Sequence, residues 1–252
     1  MKVRPGVEVA GLTDIGCKRD NNEDYYAYWE PEENAIFEQL GRLAIVADGM
    51  GGAEGGQFAS RIAVEAVRDG YSTSTEEDPQ KRLLTAFRQA NDEVQQEAHS
   101  KPALHGMGTT LSACVMVAGK LYFAHVGDSR VFLIRAGEAH QLTRDHSLVA
   151  RLVESRTIRP EDAENHPQKH VLTAAVGVCD DLQPDFSAEP MPLQRDDTVV
   201  ICTDGLWGQM TPAEIAEIVS TRGVNDACKA LVQLARERGG PDNITLQILR
   251  VS

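Results

Sequence analysis

The apolar residues of this chain fall into short runs of β-strand length, each closed by a turn rich in glycine or acid. Residues 109–117, 121–126 and 131–134 succeed one another in this way. Ala118-Gly119-Lys120 and Gly127-Asp128-Ser129-Arg130 separate them, and Ala136-Gly137-Glu138 is the next turn. Such hairpin-like succession points to antiparallel pairing. Val7, Val9 and Gly11 alternate with Glu8 and Ala10, a half-buried strand pattern. Residues 42–47 (RLAIVA), 197–202 and 244–251 read as further strands. Helical spacing holds for Phe58, Ile62, Ala63 and Ala66, and for Leu83, Phe87, Ala90, Val94 and Ala98 after Pro79. Shorter helices are expected over 147–156, 211–220 and 225–238. Pro212 sits in a first turn, and Gly239-Gly240-Pro241 stops the last helix. Strands in succession with helices in pairs, without strict alternation, predict an α+β fold with antiparallel sheets.

Composition narrows the setting. At 252 residues, one domain over 1–252 is expected. Aromatics are only 5% of the chain, so aliphatic side chains must fill the core. No run of about 18 apolar residues exists, so no membrane helix is expected. Met1-Lys2-Val3-Arg4-Pro5-Gly6 lacks a hydrophobic signal region, which argues against export. Cys17, Cys114, Cys179, Cys202 and Cys228 are scattered, with no Cys-x-x-Cys, so neither a zinc ribbon nor a disulfide framework is expected. A reducing cytoplasm fits that usage. The formal net charge of −13 argues against nucleic acid and anionic membranes as partners, and suits cation binding if the acids cluster. Residues 156–169 are polar, hold two prolines and read as a flap.

Three aspartates share a local setting. Asp48 follows Ala44-Ile45-Val46-Ala47, and Asp204 follows Val200-Ile201-Cys202-Thr203; a glycine follows each. Asp242 precedes Asn243 and the last strand. Each therefore lies in a turn at a strand end. Asp-Gly alone is ordinary turn chemistry. If the three ends converge, they form a hard, oxygen-only pocket suited to Mg²⁺ or Mn²⁺ rather than zinc. Arg19-Asp20-Asn21-Asn22-Glu23-Asp24, taken alone, reads as a solvated polar loop.

Taken together the pattern is specific. Arg19 to Asp24, Ala47-Asp48-Gly49-Met50-Gly51-Gly52, Gly106-Met107-Gly108-Thr109-Thr110, Gly127-Asp128-Ser129-Arg130, Thr203-Asp204-Gly205 and Asp242-Asn243 resemble, in order and spacing, the metal-dependent protein phosphatase 2C family. The match runs from residue 13 to residue 249 and looks closest to the compact bacterial Ser/Thr phosphatases. The resemblance implies a sandwich of two antiparallel β-sheets flanked by helix pairs. It implies two divalent ions, Mn²⁺ or Mg²⁺, at one end of the sandwich. Asp48 would bridge both, Gly49 would offer its carbonyl, and Asp204 and Asp242 would hold the other face. Glu23 and Asp24 would act through metal-bound waters, and Arg19 would grip the substrate phosphate. Asp128, with Asp204, would form a third, weaker site. It further implies hydrolysis without a phosphoenzyme, phosphoprotein substrates that include a Ser/Thr kinase or its targets, and a monomer. Some members carry a histidine two positions after the bridging aspartate as general acid. Here that position is Met50, which donates no proton.

Other chemistries fit less well. No cysteine has an arginine six positions later, no Asp-x-Asp triplet occurs, and Gly119-Lys120 is followed by Leu121, so no Walker loop forms. Gly127-Asp128 lacks the histidine-rich company of calcineurin-type sites. His166 and His170 stand four apart, but Pro167 spoils a zinc-protease reading, and a polar flap is the better one. Asp145 or Ser147 should start a helix beside His146. Met50 and Met107 read as packing residues. A degenerate, non-catalytic module would have lost an aspartate or Arg19, and all are present. A small phosphate ester is the alternative substrate class.

Overall fold

The computed structural model describes residues 3–163 and 166–252, the side chains at 52–54 excepted. The chain begins with β1 (Val7–Asp14), β2 (Asp24–Trp29), α1 (Asn34–Leu40) and β3 (Arg42–Met50). The helix pair α2 (Gly52–Thr73) and α3 (Pro79–Ser100) follows. Next come β4 (Gly108–Thr109), β5 (Leu111–Val117), β6 (Lys120–Val126), β7 (Arg130–Arg135) and β8 (Glu138–Gln141). Two short helices, α4 (Leu148–Glu154) and α5 (Pro160–Ala163), lead to β9 (Asp185–Phe186), β10 (Met191–Pro192) and β11 (Thr198–Cys202). The chain closes with α6 (Asp204–Trp207), α7 (Pro212–Thr221), α8 (Val224–Glu237) and β12 (Ile244–Val251).

All strand pairs are antiparallel. One sheet has the order β1-β12-β11-β7-β8. The other runs β10-β6-β5-β3-β2, with β4 added to β3 and β9 to β6. The central strands read as unbroken apolar runs because both of their faces are covered. In β3, Ala44 and Val46 face the opposite sheet, where Val131, Leu133, Val199, Ile201 and Leu249 meet them. Leu43, Ile45 and Ala47 turn to the other side, against Leu83, Phe87 and Val94 of α3. Phe132, Val200 and Ile248 likewise turn from the sandwich interior toward Ile215 of α7 and Leu231 of α8. The fold is the expected α+β sandwich with a helix pair on each outer face.

Helix boundaries follow local chemistry. The Asp78 side chain accepts from the Gln80 and Lys81 amides and Pro79 opens α3. Thr211 and Glu214 form a capping box around Pro212. Ser147, not Asp145, caps α4.

Several expectations need correction. Asp48 is not beyond its strand: β3 continues through Gly49 and Met50. Asp204 opens a helical turn instead of lying in a loose one. The run 109–117 breaks at Thr110, where β4 ends and β5 has not begun. The Arg19–Asp24 stretch is not solvated throughout, because Asp24 is only 5% exposed and begins β2. Phe58 lies on a helix as expected but faces solvent, 41% exposed; Ala59, Ala63 and Val67 make the buried stripe. The flap expectation over 156–169 includes residues 164 and 165, which lie outside the described residues; the described part contains α5. Among the described residues, no helix is long and apolar enough to cross a membrane, and no cysteine is bonded to another.

Candidate metal centre

The register of β2 on β3 sets Asp24 directly opposite Asp48. The backbone of Asp48 is clamped from β4 and the residue after it. Thr110 Oγ1 accepts from the Asp48 amide at 2.9 Å, while the Thr109 hydroxyl and the Thr110 amide, each at 2.8 Å, donate to its carbonyl. Gly49 must be glycine for space: a Cβ there would stand 2.0 Å from the Gly56 carbonyl oxygen. That approach brings the start of α2 against the strand end, and the Gly49 amide donates to the Glu23 carbonyl at 3.1 Å.

The other sheet contributes through one close contact. A Cβ on Gly205 would lie 1.9 Å from the Asn243 carbonyl oxygen, so α6 and the start of β12 touch backbone to backbone. Thr203, just before Asp204, donates its hydroxyl to Asp24 Oδ2 at 2.9 Å and so joins the two sheets. Asn243 secures the N-terminal loop. Its Oδ1 accepts from the Glu23 amide, and its Nδ2 donates to the carbonyls of Ile15 and Asn21. Sequence reasoning quoted Asn243 beside Asp242 without seeing this role.

The carboxylates feel one another. Burial first, then the charges of Asp24, Asp204, Asp128 and Asp242, hold the half-buried Asp48 well above the ordinary carboxylate range. Burial, then Asp204 and Asp242, raises Asp24 to about 7 against hydrogen bonds from Thr245 and Thr203. Burial, then Asp204 and Asp145, raises Asp128 to about 7, with Arg130 opposing. Glu23 is raised by burial and Asp242, and lowered by Arg19. Arg19 donates from Nη2 to Asp242 Oδ2 at 2.6 Å. That bond above all raises the guanidinium pKa, with Asp242, Glu23 and Asp48 adding to it. The seven positions singled out in the sequence (Arg19, Glu23, Asp24, Asp48, Asp128, Asp204 and Asp242) thus lie in one electrostatic neighbourhood, with Gly49 at its floor.

Two buried oxygens, Asp24 Oδ1 and Asp204 Oδ1, have no hydrogen-bond partner. An unpartnered buried carboxylate oxygen is costly, and a hard cation is the partner its chemistry suits. Among the described residues, no three His, Cys, Asp or Glu side chains are already drawn together closely enough to hold an ion. Like charges repel, and Arg19 occupies one oxygen of Asp242, so the acids share a pocket without meeting at a point.

Two residues went unseen in the sequence. His170 Nδ1 stands 3.8 Å from Asp204 Oδ2, which raises the imidazole pKa. The flap reading of His170 contained no hint of this contact across the fold. Trp207 donates from Nε1 to the Asp128 carbonyl at 3.0 Å. Met107 is fully buried, the packing residue it was read to be, and Met50 Cε lies beside Gly108 at the rim.

A family model described as Protein phosphatase 2C matches residues 18–245. The chain is 37% identical over 251 residues to Protein phosphatase PhpP of Streptococcus pneumoniae, covering 98% of each. Among solved structures, it is similar to the S. agalactiae serine/threonine phosphatase, with a TM-score of 0.89 and 34% identity over 98% of this chain and 100% of that one. It is also similar to the catalytic domain of serine threonine protein phosphatase PstP in complex with two manganese ions, with a TM-score of 0.84 and 30% identity over 98% of each chain. These matches, over nearly the whole chain, define a phosphatase. The chain belongs to the protein phosphatase 2C family, a family of protein-serine/threonine phosphatases.

Proposed function

We propose that this protein hydrolyses phosphoserine and phosphothreonine on proteins, using two Mn²⁺ or Mg²⁺ ions and a water nucleophile, with no phosphoenzyme. The observation that carries the reading is the cluster of Asp24, Asp48, Asp128, Asp204 and Asp242, drawn from both sheets, with two buried oxygens left unpartnered. The relative bound to two manganese ions supports the choice of metal.

When bound, the ions lower the pKa of water toward neutrality and offset charge on the phosphoryl group. Asp48, the Gly49 carbonyl, Asp204 and Asp242 would hold the ions. Glu23 and Asp24 would act through metal-bound water. Asp128, which feels the charge of Asp204, would contribute to a third and weaker site. Arg19 holds the dianionic ester through its planar, permanently charged fork, exchanging Asp242 for substrate. The Thr109 and Thr110 clamp holds the Asp48 backbone in place near the end of β3. Met50 supplies no proton, so leaving-group protonation falls to water or another side chain.

The flap over 156–169 would select among phosphoproteins, a Ser/Thr kinase or its targets among them. A single catalytic domain, acting as a monomer in the cytoplasm, completes the reading. The test is hydrolysis of a phosphothreonine peptide with Mn²⁺, with and without chelator. Turnover that survives complete chelation would refute it.

A further inference from the structure

Two acid-bearing loops meet through a side chain that bears no charge. Trp207 closes the single helical turn that Asp204 opens. Its indole N–H donates to the backbone carbonyl of Asp128 at 3.0 Å. The indole face is covered by Arg130, whose Cζ lies 3.4 Å from the ring centroid. Arg130 is itself held by a two-pronged pair with Asp145, at 3.0 Å from Nε and 2.7 Å from Nη2. Asp145, Arg130, Trp207 and the Asp128 carbonyl thus form one chain of contacts ending on the loop that carries the Asp128 carboxylate.

The loop is pinned on both sides of Asp128. The Gly127 carbonyl accepts from the His146 amide at 2.7 Å and lies 2.9 Å from His125 Nε2. Ser129 Oγ lies 2.8 Å from Thr110 Oγ1, the oxygen that also accepts from the Asp48 amide. Among the described residues, the Trp207 hydrogen bond is the one that reaches Asp128 itself from the Asp204 segment. A shift of that helical turn would therefore pass directly to the Asp128 backbone.

We propose that Trp207 is a positioning residue that fixes Asp128 relative to Asp204 and so sets the affinity of the weaker cation site between them. The proposal rests on the metal reading above. A tryptophan present for bulk alone would lose little on replacement by phenylalanine, which keeps a ring under Arg130 and lacks only the N–H.

The test is equilibrium Mn²⁺ binding to the whole chain without substrate, read from the electron paramagnetic resonance signal of free Mn²⁺. Trp207→Phe should weaken the weakest class of sites by about fivefold, the worth of one hydrogen bond, and leave the tightest class unchanged. Asp128→Ala should lose the weak class, and adding Trp207→Phe to it should leave the tight class where it was. Trp207→Leu, which also lacks the N–H, should shift the weak class in the same direction and serves if Trp207→Phe does not fold. Wild-type affinity of the weak class in folded Trp207→Phe, or in Trp207→Leu where the first does not fold, would overturn the proposal. So would a loss in the tight class when Trp207→Phe is added to Asp128→Ala, since that marks general distortion. A wild type that binds no Mn²⁺ would overturn the metal reading itself, and the positioning role with it.

Discussion

Arg19 and Asp242 are partners at 2.6 Å, so the candidate phosphate-binding cation rests on a candidate metal ligand. Each holds the other. Arg19→Ala should remove the charge-assisted contacts to phosphate and raise KM by about tenfold or more. It also frees an oxygen of Asp242, so Mn²⁺ affinity should hold or improve. Phosphopeptide kinetics at saturating Mn²⁺, set beside Mn²⁺ titration, check both parts. An unchanged KM with weaker metal affinity would reverse the assignment.

Asp48→Asn keeps the shape of the side chain and its backbone clamp but removes a formal charge from the centre of the cluster. Phosphopeptide turnover should drop to near background even with Mn²⁺ in excess. Near-normal turnover under those conditions would mean that the centre lies elsewhere.

Stability without metal should depend on pH with a definite sign. Asp24 and Asp128 are held at about 7 in the folded chain, burial being the first cause for each. An unfolded aspartate titrates at about 3.9. Between those values the folded chain keeps protons that the unfolded chain has released. Stability should therefore fall as pH rises from about 4 to 7 and level off above that. Glu214, drawn down to about 2 chiefly by its hydrogen bond from Arg238, acts in the opposite sense at lower pH, below the ordinary glutamate range of about 4.3. Melting curves in chelator across this range check the slope, which Asp24→Asn should flatten. Stability that climbs through the same window would contradict the account.

Cation binding should reverse that loss. A ligand that binds only the folded state adds about 2.7 kcal/mol at a hundredfold excess over Kd. The melting temperature should rise with Mn²⁺, and protons held on Asp24, Asp48 and Asp128 should be released on binding. Asp204→Asn should melt higher than wild type in chelator and gain less from Mn²⁺. Thermal scans with both additions, and calorimetry in buffers of different ionisation enthalpy, measure the two effects. A wild-type melting temperature indifferent to Mn²⁺ would show that the acids do not act as one centre.

What could be read from the chain before folding depended on the range of each signal. The runs that became β3, β5, β6, β11 and β12 are apolar on both faces, and their length alone marks them. The helices α3 and α7 carry their own caps, Asp78 and Thr211, within a few residues. By contrast, β2 (DYYAYW) follows a run of acids and amides, so Asp24 resembled the tail of a polar loop. Its burial comes from Thr203, 179 positions away. Asp48, Asp204 and Asp242 were visible as strand-end acids, but not their shared pocket, because the Gly205–Asn243 approach has no local signature. His170 and Trp207 were hidden for the same reason: each gains its meaning from a residue on another element.

The pairing of β2 with β3 carries one more consequence. Side chains alternate along a strand, so a slip of one residue would bring Tyr25 opposite Asp48 and turn Asp24 to the other face. What forbids the slip is the two-sided cover of β2 itself: Tyr26 and Tyr28 against one layer, Ala27 and Trp29 against the other. The alignment of the two acids is therefore guarded by uncharged residues that never approach the pocket. Mutations deep in those layers should be able to silence the site while every acid and arginine in it is retained.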